Sequence, residues 1–348
     1  MFSKKVLSID MGGKNIKIVT GEYKKSKLYI DNTIMIPTPS NSLEDGNIIN
    51  KDKLVEALDN ILGMNEINIK DVYFTTNSKE IINREMIVPK AEEDELDTVV
   101  EFEVQQYLPI ILDNYVIQYQ VLEEIKGESE EASIDKLRIM VVAYPKSMVE
   151  QYLSLAEELD LNPKVLDVNF NAISKLFKNN IETIALVDIG AENININIVS
   201  NGKIEFTRII QKAGDLLDKT IAFRYDLDIE EGEKRKKQYV DLREDNEDNK
   251  EQVLEELNTV VKEKLNEIIE DVGKVVQFYK NKNVGNKIDK IYIYGGGSRL
   301  KGIEEYSEAI LNIPVVKINS MSNVVLEKNV NEEDLDYYLN AIGAIIRL

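Results

Sequence analysis

Two aspartates end apolar runs of this chain in the same way, and each is followed closely by glycine. The first run is Val6-Leu7-Ser8-Ile9-Asp10-Met11-Gly12-Gly13, continuing through Lys14-Asn15-Ile16-Lys17-Ile18-Val19. The second is Ile184-Ala185-Leu186-Val187-Asp188-Ile189-Gly190-Ala191, continuing through Glu192-Asn193-Ile194-Asn195-Ile196-Asn197-Ile198. Each reads as a strand, a tight turn and a returning strand. The amides of such a turn can cradle a phosphate, and a carboxylate at the strand end can hold water on a bound cation. Lys17, on the same strand face as Gly13, can reach back to that phosphate, or face solvent as an ordinary strand lysine. A third loop, Gly295-Gly296-Gly297-Ser298, follows the apolar Ile291-Tyr292-Ile293-Tyr294. It is either a plain strand-to-helix turn or bare backbone against which a base or phosphate packs. Two such hairpins in separate halves suggest a nucleotide clamped between duplicated domains.

Composition narrows the chemistry. The 348 residues contain no histidine and no cysteine. Imidazole catalysis, disulfides and thiolate metal sites are excluded, so chemistry must run on carboxylates, lysine, hydroxyls or backbone. A net charge of −20 argues against a broad nucleic-acid face and against direct attraction to anionic lipid. The balance of 43% apolar and 30% charged residues is globular, with enough chain for two cores. No signal-peptide core follows Met1-Phe2-Ser3-Lys4-Lys5, and no uncharged apolar run reaches the length of a membrane span. The expectation is a cytoplasmic chain.

The elements that position these loops are legible from periodicity. Residues 5–37 alternate as a three-stranded meander, 52–62 carry one apolar helical face, and 72–76 form a short strand. Residues 82–165 read as a separate unit: a strand ending at Pro89, an acidic amphipathic helix over 92–108 stopped by Pro109, two strands at 116–122 and 136–143, and a helix over 147–159. Residues 127–133 read as the polar loop between those strands. The second half repeats the plan, with a helix over 215–223, a long amphipathic helix marked by Val253 through Tyr279, and helices near 300–311 and 336–346. The acidic stretch 241–251 reads as a solvated loop.

The ordered set Asp10-x-Gly-Gly with Lys17, Asp188-x-Gly-Ala, Gly295-Gly296-Gly297-Ser298 and Ala341-Ile342-Gly343-Ala344 resembles the actin/Hsp70/sugar-kinase ATPase superfamily. Within it, Glu85-Met86-Ile87-Val88-Pro89-Lys90, Glu95-Leu96, Phe102-Glu103-Val104-Gln105-Gln106-Tyr107-Leu108-Pro109, residues 116–122 and Val141-Val142-Ala143-Tyr144-Pro145-Lys146 resemble the PilM family of type IV pilus assembly, over essentially the whole chain. FtsA is a more distant cousin. The resemblance implies a duplicated, two-lobed α/β fold, ribonuclease H-like and actin-like, with an FtsA-type inserted subdomain. The division it implies is a first-lobe core at 1–81 completed by 166–182 and 333–348, the insertion at 82–165, a second-lobe core at 183–211 completed by 285–332, and a helical subdomain at 212–284.

The resemblance further implies ATP or ADP with magnesium. Asp10, Gly12, Gly13, Lys14, Lys17, Asp188, Gly190, Ala191 and Gly214 would hold the phosphates and the water-bridged cation, with Asp10 and Asp188 as the metal carboxylates. Gly295, Gly296, Gly297 and Ser298 would receive the adenosine. Glu233 and Lys236 lie where the family brackets it, though they also suit a solvated charged helix face. Asp188 is the candidate for activating water. The chain departs from the family pattern at Glu192-Asn193, where Ser or Thr is usual, at Ala213-Gly214 in place of Gly-Gly, at Gly232 in place of Ala, and at Asn169 near the place where polymerising bacterial actins carry Glu. Glu192 would repel a triphosphate unless its side chain turns away, and at most slow hydrolysis is expected.

By the same resemblance, the chain would be a scaffold recruited to the inner face of the cell membrane by the cytoplasmic tail of a PilN-like protein. That tail would fill a groove beside the inserted subdomain, near Val104, Tyr107 and Leu108, unless these residues only pack a core and stop a helix. The end at Ile345-Ile346-Arg347-Leu348, without an amphipathic anchor, favours this reading over an FtsA-like filament protein. A small-molecule kinase of the same fold is the other alternative, but no aspartate in the first half suggests itself as its base.

Overall fold

The computed structural model describes residues 4–126, 135–243, 252–328 and 330–347. The loop 127–133 and most of the stretch 241–251 lie outside them. The strands are β1 (Val6–Met11), β2 (Asn15–Lys24), β3 (Lys27–Pro37), β4 (Leu43–Glu44), β5 (Asn47–Ile48), β6 (Asp71–Thr76), β7 (Ile82–Pro89), β8 (Tyr115–Ile125), β9 (Lys136–Pro145), β10 (Asn162–Val168), β11 (Thr183–Ile189), β12 (Ile194–Ser200), β13 (Lys203–Ile210), β14 (Lys290–Tyr294), β15 (Val315–Lys317) and β16 (Val324–Leu326). The helices are α1 (Lys51–Met64), α2 (Glu93–Tyr107), α3 (Lys146–Glu158), α4 (Asn169–Leu176), α5 (Gly214–Tyr225), α6 (Ile229–Tyr239), α7 (Gln252–Lys282), α8 (Ile303–Leu311) and α9 (Leu335–Ala344).

Two compact units emerge. One comprises 1–38, 69–75 and 167–348, and the other 39–68 and 76–166. The larger unit contains two sheets built on one plan. In the first, whose strands in this unit run β6-β1-β2-β3-β16, β1 runs antiparallel to β2 and parallel to β6. In the second, of order β13-β12-β11-β14-β15, β11 runs antiparallel to β12 and parallel to β14. Every residue of β1 is buried, as expected of a central strand covered on both faces. The registers match too: Asp10 pairs with Lys17, and Asp188 with Asn195. The duplication read in the sequence is thus a duplication of strand order and of the aspartate's place in it.

Helix α7 covers the second sheet. Leu257, Val261, Leu265, Ile268, Ile269, Val272, Val276 and Tyr279 are buried at helical spacing in the core with Val187, Ile196 and Ile293. Helix α6 starts where the side chain of Asp228 caps the amide of Glu231 at 2.7 Å. The segment 167–172 is a strand-to-helix junction: β10 runs to Val168, and α4 begins at Asn169. Strands β15 and β16 have three residues each, too few to display an alternation.

In the smaller unit, α2 lies on the three-stranded sheet β7-β9-β8. Its buried stripe is Leu96, Val100 and Val104, continuing to Leu108, at four-residue spacing, so Tyr107 falls outside it.

Helices α4 and α9 pack together, with Gly343 where they cross. A Cβ there would collide with the carbonyl oxygen of Ala172, so backbone touches backbone. A methyl group at this crossing must separate the helices. Gly343→Ala is expected to lower stability by about 2–3 kcal/mol, read as a drop in melting temperature. An unchanged melting temperature would show that the helices separate at little cost.

Candidate functional site

The matched strands put Asp10 and Asp188 at the ends of β1 and β11, with only 1% and 8% of their surface exposed. Lys17, on the strand returning from the first turn, places its Nζ 3.1 Å from Asp10 Oδ2. Burial disfavours the charge of Lys17, but Asp10 and Asp188 together outweigh it and hold its pKa above the ordinary value. Each aspartate also receives an asparagine from one of the crossing helices. Asn340 of α9 donates its Nδ2 to Asp188 Oδ2 at 3.0 Å. Asn169 of α4 directs its Nδ2 toward Asp10 Oδ1 at 3.4 Å and accepts from Thr75 Oγ1 at 2.6 Å. Tyr294 continues the second arm, its hydroxyl 3.3 Å from Asn340 Oδ1. For Asp188 the balance goes the other way. Burial pushes its carboxyl up to about 6, against Lys17 and Asn340, and Asp10 adds to the rise.

A second charged cluster surrounds the first turn. Lys14 Nζ lies 2.9 Å from Glu233 Oε2, 3.3 Å from Asp218 Oδ2 and 3.6 Å from Asp215 Oδ1. Burial opposes its charge, but these acids prevail and its pKa rises. Lys236 meets the other oxygen of the fully buried Asp218 at 2.6 Å and donates to the Gly214 carbonyl at 3.2 Å. Glu233 is held below the usual carboxylate range: burial would raise it, but hydrogen bonds from Lys14 and Lys237 overcome that. The second turn is tied to the start of α5, where the amides of Gly214 and Asp215 donate to the carbonyls of Gly190 and Ala191 at 3.2 and 2.8 Å. The amide of Gly190 closes its own turn on Asn193 at 3.0 Å.

The third loop packs directly on the second aspartate. Gly295 has φ +82°, and a Cβ on it would collide with Asp188 Oδ1. Gly297 lies against Ile189, and Gly296 faces the ring of Tyr337. The hydroxyl of Ser298 is turned inward, donating to the Gly295 carbonyl at 2.8 Å. Asp336, buried behind it, is held by Arg299 and by Lys317 at 3.2 Å, and the guanidinium of Arg299 stacks 4.2 Å from the centre of the Tyr337 ring.

The candidate nucleotide residues therefore all lie in the larger unit. The candidate partner residues lie in the smaller one. There Val104 and Leu108 belong to the core under α2, while Tyr107 is 61% exposed. Sequence reasoning missed Asn340, which directly precedes the Ala341-Ile342-Gly343 signature, and Asp218, a charged residue at a buried helical position beside Leu217 and Ile221. A carboxylate at a buried position was the available signal for the second.

These residues fit a nucleotide carried with magnesium. A Cβ on Gly12 would stand 2.7 Å from the Asn15 carbonyl and 2.8 Å from Lys17 Nζ, so the turn needs glycine to stay open. Among the described residues no cluster of three or more acidic, His or Cys groups could hold a metal. Two carboxylates are what magnesium takes when phosphate oxygens and water complete its octahedron.

A sequence model of a known family, described as type IV pilus assembly protein PilM, matches residues 8–347. Among solved structures, the chain is similar to one of a PilM–PilN type IV pilus biogenesis complex, with 20% identity, 98% of this chain and 97% of that chain covered, and a TM-score of 0.81. It is also similar to the ethanolamine utilization protein EutJ from Carboxydothermus hydrogenoformans, with 14% identity, 99% and 90% coverage, and a TM-score of 0.59. MreB5 of Spiroplasma citri bound to ADP matches with 14% identity, 98% and 94% coverage, and a TM-score of 0.56. These likenesses show an actin-like ATPase superfamily fold with mixed α/β sheets.

The raised Asp188 carboxyl has a consequence for stability. Its burial costs nothing below about 3.8, where folded and unfolded forms are both protonated; the cost grows as pH rises and is complete above about 6. A rise from 3.8 to about 6 corresponds to roughly 3 kcal/mol. Asp188→Asn is therefore expected to stabilise the nucleotide-free protein at pH 7.5 by up to about 3 kcal/mol and to lose most of that advantage by pH 4. Thermal melts at the two pH values check this. A variant no more stable than wild type at pH 7.5 would contradict it.

Proposed function

Because the chain belongs to the PilM family of type IV pilus assembly proteins, we propose that it is an ATP-binding scaffold in the cytoplasm, docked on the cytoplasmic N-terminal tail of a PilN-like inner-membrane protein. The observation that carries the nucleotide half of this reading is the pair of buried strand-end aspartates with Lys17 between them. The partner half rests on family membership, together with the likeness to a PilM–PilN complex. We take residues 82–165 as the FtsA-type inserted subdomain, 1–81 with 166–182 and 333–348 as the first-lobe core, 183–211 with 285–332 as the second-lobe core, and 212–284 as its helical subdomain. No helix among the described residues is long and apolar enough to cross a membrane.

The turn at Gly12, Gly13 and Lys14 and the turn at Gly190 and Ala191 would receive the phosphates, and the third loop the adenosine. Magnesium would supply the charge that the site lacks. Asp10, Asp188, Glu192, Asp215, Asp218 and Glu233 are six acids against the four lysines Lys14, Lys17, Lys236 and Lys237, so a bare triphosphate would be repelled. Removing a carboxylate leaves the cation poorly held. Calorimetry of Asp10→Ala against wild type is expected to show loss of magnesium-dependent ATP affinity; equal affinity would sink the assignment.

Hydrolysis should be slow. Asn169 hydrogen-bonds Thr75 and leans on Asp10, and an amide cannot take a proton from water. Water activation would then fall to Asp188, or to Asn169 positioning a water without taking its proton, and a well-placed base contributes about 10²–10⁴-fold. A turnover at or below about 0.01 per second is expected, and one near 10 per second would contradict the reading.

On α2, Tyr107 and Phe102 are 61% and 59% exposed, the surface that a tail peptide can reach. β7 and β8 are the edges of the sheet beneath, open to added-strand pairing. The net charge of −20 favours a tail bearing Lys or Arg. In a fluorescence titration with the labelled tail of the neighbouring membrane protein, Tyr107→Ala is expected to weaken binding about tenfold without changing the melting temperature. Binding equal to wild type would place the tail elsewhere.

A further inference from the structure

The seat over the first turn already holds a negative charge. A Cβ on Gly13 would stand 2.7 Å from Oε1, 2.8 Å from Cδ and 2.9 Å from Oε2 of Glu192, and those three atoms are its nearest neighbours. The carboxylate at the tip of the second hairpin thus lies broadside on the turn of the first. The side chain does not turn away. A carboxylate and a phosphate oxygen offer a glycine turn the same chemistry, an anionic acceptor.

Lys14, Lys17 and Lys236 are each engaged with other acids. Lys14, the next residue of the turn, is 2.9 Å from Glu233 and 3.3 Å from Asp218. Lys236 lies 2.6 Å from Asp218, and Lys17 lies 3.1 Å from Asp10. A further phosphate charge arriving over Gly13 would meet the carboxylate of Glu192 already there.

We propose that Glu192 is a built-in occupant of the terminal-phosphate seat over Gly13, so that this cleft takes a magnesium-bound nucleoside diphosphate in preference to the triphosphate. The inference rests on the nucleotide reading and deepens it. A diphosphate leaves the Glu192–Gly13 contact in place. A triphosphate must displace the carboxylate and then sit beside it, and like charges a few ångströms apart near a protein surface cost enough to shift affinity by about tenfold.

Calorimetric titrations with MgADP and with MgATP on wild type, Glu192→Gln and Glu192→Ser test this. Two substitutions at one exposed position guard against a folding artefact, and melting curves confirm that each variant is folded. Wild type is expected to favour MgADP. Both variants are expected to bind MgATP about tenfold more tightly than wild type, with MgADP affinity nearly unchanged. If the ratio of MgATP to MgADP affinity is the same in all three proteins, the proposal falls while the nucleotide reading stands. A selective loss of MgATP affinity in the variants would make Glu192 a contact of the cation and overturn the proposal. If none of the three binds either nucleotide, both fall together.

Discussion

Two carboxylates buried at the ends of the central strands of two sheets, with one half-buried lysine paired to the first, are the constraint on which the rest of the larger unit depends. Burial disfavours the charge on Asp188, Lys17 offsets only part of that cost, and Asp10 adds a smaller repulsion. The remaining polar capacity of the pair is met by amides. Asn169 and Asn340 reach the aspartates from α4 and α9, and they can do so because those helices cross closely at Gly343. The helix crossing, the asparagines and the aspartates are therefore one structural problem with one solution. Even so, burial keeps the Asp188 carboxyl raised to about 6. A divalent cation held by these carboxylates would favour their charged forms.

The duplication keeps the central strand order and is unequal in chemistry. Both sheets place an aspartate at the end of the central strand, with a turn after it. The residue opposite is lysine in the first copy and asparagine in the second. The glycine after the first turn's leading glycine is alanine in the second, followed by the Glu192 that reaches back to Gly13. The first half thus carries the buried cation and the second carries the extra anion. Lys14 adds a further tie in the same direction, from the first turn to acids of α5 and α6. Each contact brings opposite charges, or charge and backbone, together across the duplicated halves, and each would be disturbed by a polyphosphate entering there.

The smaller unit obeys a different logic. Its sheet has one helix, α2, and the buried stripe Leu96, Val100, Val104 and Leu108 uses all the apolar positions at four-residue spacing. What remains outward on that helix is acidic or polar except at Phe102 and Tyr107, which lie outside the core. An exposed aromatic pair on an acidic helix is a reasonable contact for a basic peptide with apolar side chains, and it leaves the core residues beneath to hold the helix in place.

The elements with strong periodicity were legible in the sequence alone. The apolar strand–turn–strand runs at Asp10 and Asp188, the long stripe from Leu257 to Tyr279 and the family of the chain all follow from local pattern, because alternation and helical spacing are properties of neighbouring residues. The absence of histidine and cysteine likewise fixed which groups any chemistry can use. What the sequence left open was decided by contacts between residues far apart in the chain. Asn340 meets Asp188 across 152 positions, and Lys14 meets Asp218 across 204. Tyr107 and Leu108 are adjacent in sequence, yet one is exposed and the other buried, since α2 ends between them and its stripe was set by the sheet below. Glu192 was legible as an unusual residue, but that it lies on Gly13 rather than in solvent depended on how the two hairpins face each other, and no local pattern encodes that distance.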